Sequence, residues 1–577
     1  MKGSWFQRFT RLVSPGDARL VWLRVRAPSC TAAEDWRGTV LEHPAIRKLR
    51  PSFREVDVSR DERPEVDSAA QSVLQSLGER SGWPLSLFLD PADGSPVFGC
   101  GALESEGLEA VLRHLLVAWE TSRADLSSRA REAGSAARAR DPQTPRPPAA
   151  GEAKLAETLS GSTLSRFLTP LHQSLDPSSG AIGDTQDSFL YPQAYACLVR
   201  RSETLRVGQA ALERLARSPA CDVLGGGFFR STDGSKLLVE NAEMLEALEL
   251  GARITRSSFL QLAASEARAG LVRDFYLGGG DFAAGLGESA AFYEFSAVDF
   301  LGALDGPERL PAQRFFGLGG VGFGSGTGRR PSLVTDVATL AGELNLPPVD
   351  LQNQLAAIRR KLVVFREGRA SSRPRRSPPA ELATAAAIHA LLSGGGLEDG
   401  GLEIELLAKL RALVDARAPS APLLAGRAFS AGDRLRWQLA RACLAAASVK
   451  RPLSDQVAHS AEWLARADRL LGDVDDALDG VRGDSIFLGE RSDLADFTGR
   501  SSAALRFEAW LDRFERARRD KDELRAARIE AALPEQFASA LEAARELGLH
   551  AAGLYAAFVR AGACGLFQSL TRPVVQA

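Results

Sequence analysis

Paired cysteines are missing from this sequence. Its 577 residues include six cysteines, Cys30, Cys100, Cys197, Cys221, Cys443 and Cys564, and no two stand in a C-x-x-C spacing. In a long chain without a secretory signal, that pattern argues for reduced thiols rather than a disulfide framework. Histidine is equally sparse. His43, His114, His172, His389, His459 and His550 are scattered, with no H-E-x-x-H pair, so no metal and no other cofactor is expected. No apolar run approaches the roughly 18 residues that a membrane-spanning helix needs. Neither sign of charge dominates: 71 basic side chains face 73 acidic ones, for a net charge of -2. Such a balance gives no reason to expect nucleic acid or an anionic membrane as a partner. Residues 1–13 carry basic side chains without the apolar core of a secretory signal, which makes the cytoplasm the expected compartment.

What is present is an ordinary globular composition, 45% hydrophobic and 25% charged, in a chain too long for one core. The most informative stretch runs Val58-Ser59-Arg60-Asp61-Glu62-Arg63-Pro64-Glu65-Val66-Asp67, followed by Gly82-Trp83-Pro84-Leu85-Ser86-Leu87-Phe88-Leu89. It reads as strand, charged turn, helix, tight X-Pro turn and buried strand. Upstream, 20–25 alternates like a strand, and Ala27-Pro28-Ser29-Cys30 leads into a helix over 30–41. A strand at 53–58 and a helix over 64–78 follow, with Pro64 suited to the first turn because its missing N–H has no intrahelical partner. The run 85–89 pairs with 96–99 across the turn Pro91-Ala92-Asp93-Gly94. A closing helix over 107–119 carries Leu108, Val111, Leu112 and Leu115 on one stripe.

This order is that of a thioredoxin-like α/β domain, expected over 1–124. The fold keeps its reactive thiols at the first strand-to-helix junction, where the helix N-terminus stabilises a thiolate. Here that junction offers Cys30-Thr31-Ala32-Ala33, one thiol and no second. Trp83-Pro84 falls where the fold places a cis proline beside the cysteine, a structural role. Residues 125–152, rich in Ala, Arg, Ser and Pro, read as a linker with a helical start.

From 153 to 577 the sequence is helix after helix, as in Leu164, Phe167, Leu168, Leu171 and Leu175. Glycine-rich loops interrupt it at 225–227, 278–280 and 317–328, and a basic, proline-rich break falls at 366–379. Paired helices with elaborate loops predict a mainly α, α/α toroid rather than a four-helix bundle, which would not need such loops.

Both halves together resemble the spermatogenesis-associated thioredoxin-like proteins, which join a thioredoxin-like domain to a toroid of the six-hairpin glycosidase type. Arg60, Glu62, Arg63, Pro64 and Asp67 match the family pattern V-D-R-E-E-R-P-x-x-D, with Ser59 in place of its aspartate. Gly82, Trp83, Pro84, Phe88, Leu89, Gly94, Pro96, Phe98 and Gly99 match G-W-P-x-x-x-F-L…G-x-P-x-F-G. Weaker matches are Gly180 and Gly183, Leu224 to Phe228 with Arg230, Phe292-Tyr293, Phe316-Gly317, and Cys564 to Phe567. The departures fall where chemistry would sit. The family's Cys-His-Trp-Cys-His is here Cys30-Thr31-Ala32-Ala33-Glu34, and its His-Phe-Glu-Lys-Met-Leu is Glu240-Asn241-Ala242-Glu243-Met244-Leu245. Its acidic run before Phe292-Tyr293 gives way to the neighbourhood of Ala283-Ala284-Gly285, and its Asp-Lys…Trp-Asn segment has no counterpart near Glu381.

Candidate sites follow from these positions. Cys30 can form a mixed disulfide but lacks a resolving thiol in its own motif; the competing reading is an inert remnant of the fold. Arg230, Glu240, Asn241, Glu243, Asp281, Glu288 and Tyr293 are the candidate toroid cleft. Glycosyl chemistry would need a carboxylate pair, and Glu240 and Glu243 share one helix face. Their apolar neighbours Leu237, Leu238, Met244 and Leu245 predict that both acids point outward instead. Gly317-Leu318-Gly319-Gly320-Val321-Gly322 satisfies G-x-G-x-x-G without the strand before it and helix after it that a phosphate loop requires. Three functional classes remain open. They are a divergent, non-redox protein binding a small molecule or protein, an enzyme acting on a carbohydrate or related metabolite, and a single-cysteine thiol protein. Nothing in the sequence sets an oligomeric state.

Overall fold

The computed structural model describes residues 18–26, 31–59, parts of 66–79, 82–140, 171–182, 190–230 except 202, 234–318 except 288, 328–393, parts of 397–416, 431–450 and 453–479. A four-stranded sheet opens the chain, built from β1 (Val21–Arg26), β2 (Arg54–Ser59), β3 (Leu85–Leu89) and β4 (Pro96–Cys100) in the order β2-β1-β3-β4. β1 runs parallel to β2, with Val21 opposite Arg54, and antiparallel to β3, with Val25 opposite Leu85. Helix α1 (Thr31–Thr39) leaves β1, α2 (Pro44–Leu49) leads toward β2, and α3 (Ser105–Thr121) follows β4. The expected strands, hairpin and closing helix are all present, with small shifts at their ends.

Strand alternation divides the core in two. Val21, Leu23 and Val25 face Val66, Ala70, Val73 and Leu74. Trp22 faces the other way, against Phe53, Phe88 and the α3 stripe Leu108, Leu112, Leu115 and Trp119. The Trp119 indole donates to the Ala18 carbonyl at 3.0 Å. Helix α4 (Arg123–Arg140) occupies the beginning of the expected linker. Its Ser127 and Ala130 are buried, and Arg131 Nε lies 3.3 Å from Asp93 Oδ2 in the β3–β4 turn.

The rest is mainly helical, in two layers. Inner helices are α5 (Pro192–Val199), α7 (Leu238–Thr255), α14 (Glu381–Ser393) and α16 (Ala431–Ala447). Outer partners are α6 (Leu205–Arg217), α8 (Ser258–Gly270), α15 (Gly400–Asp415) and α17 (Leu453–Asp479). Each inner helix packs on the next, α5 on α7, α7 on α14 and α14 on α16. Sequence explains the layering. The outer helices bury single stripes, such as Gly208, Ala211, Leu212, Leu215 and Ala216 on α6, whereas α5 is buried along its whole length. The short strand β5 (Lys236–Leu237), just ahead of α7, pairs with β8 (Gly285–Leu286), and β6 (Tyr276–Gly278) pairs with β7 (Asp281–Phe282), these last three lying between α8 and α14. A lesser helical group then follows: α9 (Ala290–Tyr293), α10 (Ala297–Ala303), α11 (Gly306–Phe316), α12 (Val337–Leu344) and α13 (Pro348–Glu367). Leu340, Leu351, Leu355, Ile358 and Leu362 form its core with Val223 and Leu224.

Among the described residues no helix is long and apolar enough to cross a membrane.

Candidate functional site

The glycine triplet 225–227 is folded around one carboxylate. Asp222 Oδ1 accepts from the Gly225 amide at 2.9 Å, and the Asp222 backbone bonds to Gly226 and Gly227. Gly226 sits at φ +82°, and a Cβ there would collide with the Glu266 carbonyl, so only glycine fits. Asn241 holds the next residue from both sides, accepting from the Phe228 amide at 2.6 Å and donating to the Phe228 carbonyl at 3.0 Å. It also donates to the Leu237 carbonyl at 2.8 Å. Asn241 is therefore committed to the backbone.

Asp222 is also the centre of a buried charge cluster drawn from distant parts of the chain. Lys236 Nζ lies 2.9 Å from Asp222 Oδ2 and 3.1 Å from Asp274 Oδ2. Arg366, on α13, reaches the Asp222 carboxylate at 2.8 and 3.0 Å. Lys236 is fully buried, and Asp222 and Arg366 nearly so. Three rings wall the cluster. Tyr293 packs edge-on to Phe229 and to Phe292, and Lys236 Nζ sits 5.1 Å from the Phe229 ring centre and 5.0 Å from that of Tyr293. Burial on its own would raise the Asp222 pKa, but Arg366 and Lys236 hold the carboxyl far below its usual range. Burial likewise works against the Lys236 charge, and Asp222 with Asp274 reverses this, leaving the ammonium above its usual value. Tyr293 is pushed up to about 12, mainly by burial. None of these three titrates near neutrality, so the cluster is a clamp and not an acid–base pair.

Glu240 and Glu243 correct the sequence expectation. Both are buried, at 2% and 5% exposure. The single-stripe argument assumed an outer helix, whereas α7 is an inner helix closed in on nearly every side, so its acids have no outward face. Glu243 accepts from Gln193 Nε2 of α5 at 2.9 Å. One turn on, Glu246 contacts His389 Nδ1 of α14 at 2.9 Å and Arg441 of α16 at 2.8 Å. A polar seam thus runs along α7 between the inner helices. Asp281 lies elsewhere, in an ion pair with Lys409 at 2.7 Å, beside a hairpin that Glu405 fastens through Tyr276 and the Gly279 amide. Arg230 is half-buried at the end of the glycine loop, its amide bonded to the Ser235 carbonyl. Glu288 lies outside the described residues.

At the first domain's strand-to-helix edge, Cys30 also lies outside the described residues, as do Arg60, Glu62, Arg63 and Pro64. Ala33 is buried at 3% exposure. The Trp83–Pro84 peptide is cis, as expected. The turn before it is tied to the preceding helix: Asp67 accepts from the Trp83 indole at 2.9 Å, and Gln71 bonds both the amide and the carbonyl of Gly82. Residues 19–137 match the family Thioredox_DsbH, described as a protein of unknown function, DUF255.

The first domain is thioredoxin-like.

A comparison with curated proteins matches none. In the thioredoxin-like domain the described thiol, Cys100 on β4, is buried and pushed up to about 12 by that burial. Among the described residues, no group of three or more His, Cys, Asp or Glu side chains could hold a metal ion. Sequence reasoning missed Asp222, Lys236, Asp274, Arg366, Gln193, His389 and Arg441. A signal existed for two of them: Asp222 introduces the glycine triplet, and Lys236 is a lone cation ahead of an apolar helix. The others become neighbours only through the packing of separate helices.

Proposed function

We propose that this chain is a divergent thioredoxin-like protein without dithiol redox activity, distantly related to the spermatogenesis-associated thioredoxin-like family. In this reading the helical region is an α/α toroid of the six-hairpin glycosidase type that binds a small molecule or protein. The division into 1–124, 125–152 and 153–577 belongs to the proposal. The family match to residue 137 and the packed start of α4 favour ending the first domain later than 124. Ala33 carries the redox part: a packed methyl stands where a second thiol would have to attack a mixed disulfide. The clamp-like charge cluster supports binding over catalysis. In a thioredoxin reductase-coupled assay, the full chain is expected to give no turnover of a protein disulfide. Turnover that Cys30→Ser abolishes would sink the proposal.

The buried acids of α7 favour a second reading, carbohydrate or related metabolite chemistry in the toroid. Glu240 and Glu243 stand three positions apart on α7 and are both buried, as the members of an acid–base carboxylate pair often are. Saturable binding or hydrolysis of an oligosaccharide, lost in Glu240→Gln with the fold intact, would put this reading first.

A further inference from the structure

The end of the basic, proline-rich break is an ordered ribbon laid along β8. The Gly287 amide donates to the Arg375 carbonyl at 2.9 Å, the Ser377 amide to the Gly285 carbonyl at 2.9 Å, and the Ala284 amide to the Pro378 carbonyl at 3.2 Å. Isolated bridges pair Leu286 with Arg376 and Ala283 with Pro379. Two of the ribbon's arginines are tied down on the helical region itself. Arg376 donates to the Arg273 and Tyr276 carbonyls at 2.8 and 3.2 Å, and Arg373 pairs with Glu367 at 2.8 Å.

This ribbon marks one end of the inner helices. Helix α14 begins just after it, at Glu381, and the Leu238 amide that opens α7 donates to the Ala284 carbonyl at 3.0 Å. Both helices therefore start side by side here, and Glu240 lies in the first turn of α7 at the same end.

Arg375, the third arginine, reaches away from the helical region. Its side chain pairs with Asp35, 340 positions earlier, in the second turn of α1. Among the described residues neither side chain makes another hydrogen bond or ion pair. The pair thus joins the helix that leaves the strand-to-helix junction to the ribbon beside α7 and α14. Both side chains stay more than half exposed, at 53% for Asp35 and 73% for Arg375. A pair so open to water is weak and is screened by salt. Such a contact sets an orientation that is easily released.

We propose that Asp35 and Arg375 form a releasable latch, which holds α1 of the thioredoxin-like domain at the end of the helical region where α7 and α14 begin. Closed, it shelters that end; open, it frees that end and α1 for a partner. As control of access to the Glu240 end of α7, the latch rests on the binding reading above; as a contact, it does not.

Zero-length carbodiimide coupling of the full-length Arg375→Lys variant, followed by peptide mapping, tests the contact. Expected is a cross-link between positions 35 and 375 whose yield is independent of protein concentration. The yield should fall about fivefold from low to high salt, and the cross-link should vanish when Asp35→Asn is added. Small-angle scattering tests the release. Arg375→Glu should increase the maximum dimension of the chain, and adding Asp35→Arg should restore it. No cross-link, a cross-link that only concentrated protein gives, or a scattering profile that Arg375→Glu leaves unchanged would overturn the inference. None of these measurements uses a ligand, so failure of the latch and failure of the binding reading are told apart.

Discussion

Asp67 Oδ1 accepts a hydrogen bond from the indole of Trp83 at 2.9 Å, joining a helix to the turn before the cis proline. Both residues belong to the motifs that carry the family resemblance, and here they hold architecture. Asp67→Ala leaves the partly buried indole without this bond, which costs about 1 kcal/mol. Urea unfolding followed by fluorescence should register the loss, and a variant as stable as the parent would remove Asp67 from this role.

The charge clamp predicts a larger effect. Removing one member of a buried pair strands the other charge, at about 3–5 kcal/mol. Asp222→Asn is expected to destabilise the helical region by that order, and Lys236→Met similarly. The double variant should cost less than the sum, since neither charge then faces the loss of the other. Strict additivity in thermal melts would argue against direct coupling.

Acid should loosen the β1–β2 pair. Burial alone would raise Glu55, but hydrogen bonds from Arg50 and Arg24 bring it below its usual value; Asp57 is likewise lowered by Arg24 against the effect of burial. A carboxyl depressed in the folded state contributes stability that is whole above its unfolded pKa, about 4, and disappears as pH falls through the folded value. Amide protection factors of β1 and β2, corrected for intrinsic exchange, should therefore fall below that pH, and the fall should be smaller in Arg24→Met. Equal acid sensitivity in both proteins would contradict the assignment.

Thiol labelling gives a fourth check. Cys100, Cys197 and Cys443 are buried, and burial pushes each up to about 12. The thiolate is the reactive form, so these three should label slowly in the native protein and quickly in denaturant. Fast native labelling at any of them, located by mass spectrometry, would show that its packing opens readily.

How much was legible in the sequence depends on the range of the interactions. The sheet could be read because strand alternation, the 91–94 turn and the Trp-Pro step are local signals, and the α3 stripe is as well. Glu240 and Glu243 were misread because a stripe of leucines implies one buried face, and nothing local tells an inner helix from an outer one. The clamp was harder still. Arg366 stands 144 positions from Asp222, and their pairing follows from how α13 crosses the glycine loop. Arg24 could be read as a strand residue, but its two carboxylate partners depend on the parallel register of β1 with β2.

The bond from Trp119 to Ala18 spans 101 positions and makes the end of α3 and the approach to β1 neighbours. The stretch between them begins and finishes at one spot and so behaves as a cassette. It can be grafted into a loop of a host protein, or relinked end to end and opened at the 91–94 turn, without stretching its backbone. The tryptophan is thus a clasp, which lets the sheet be carried from one protein to another as a closed piece.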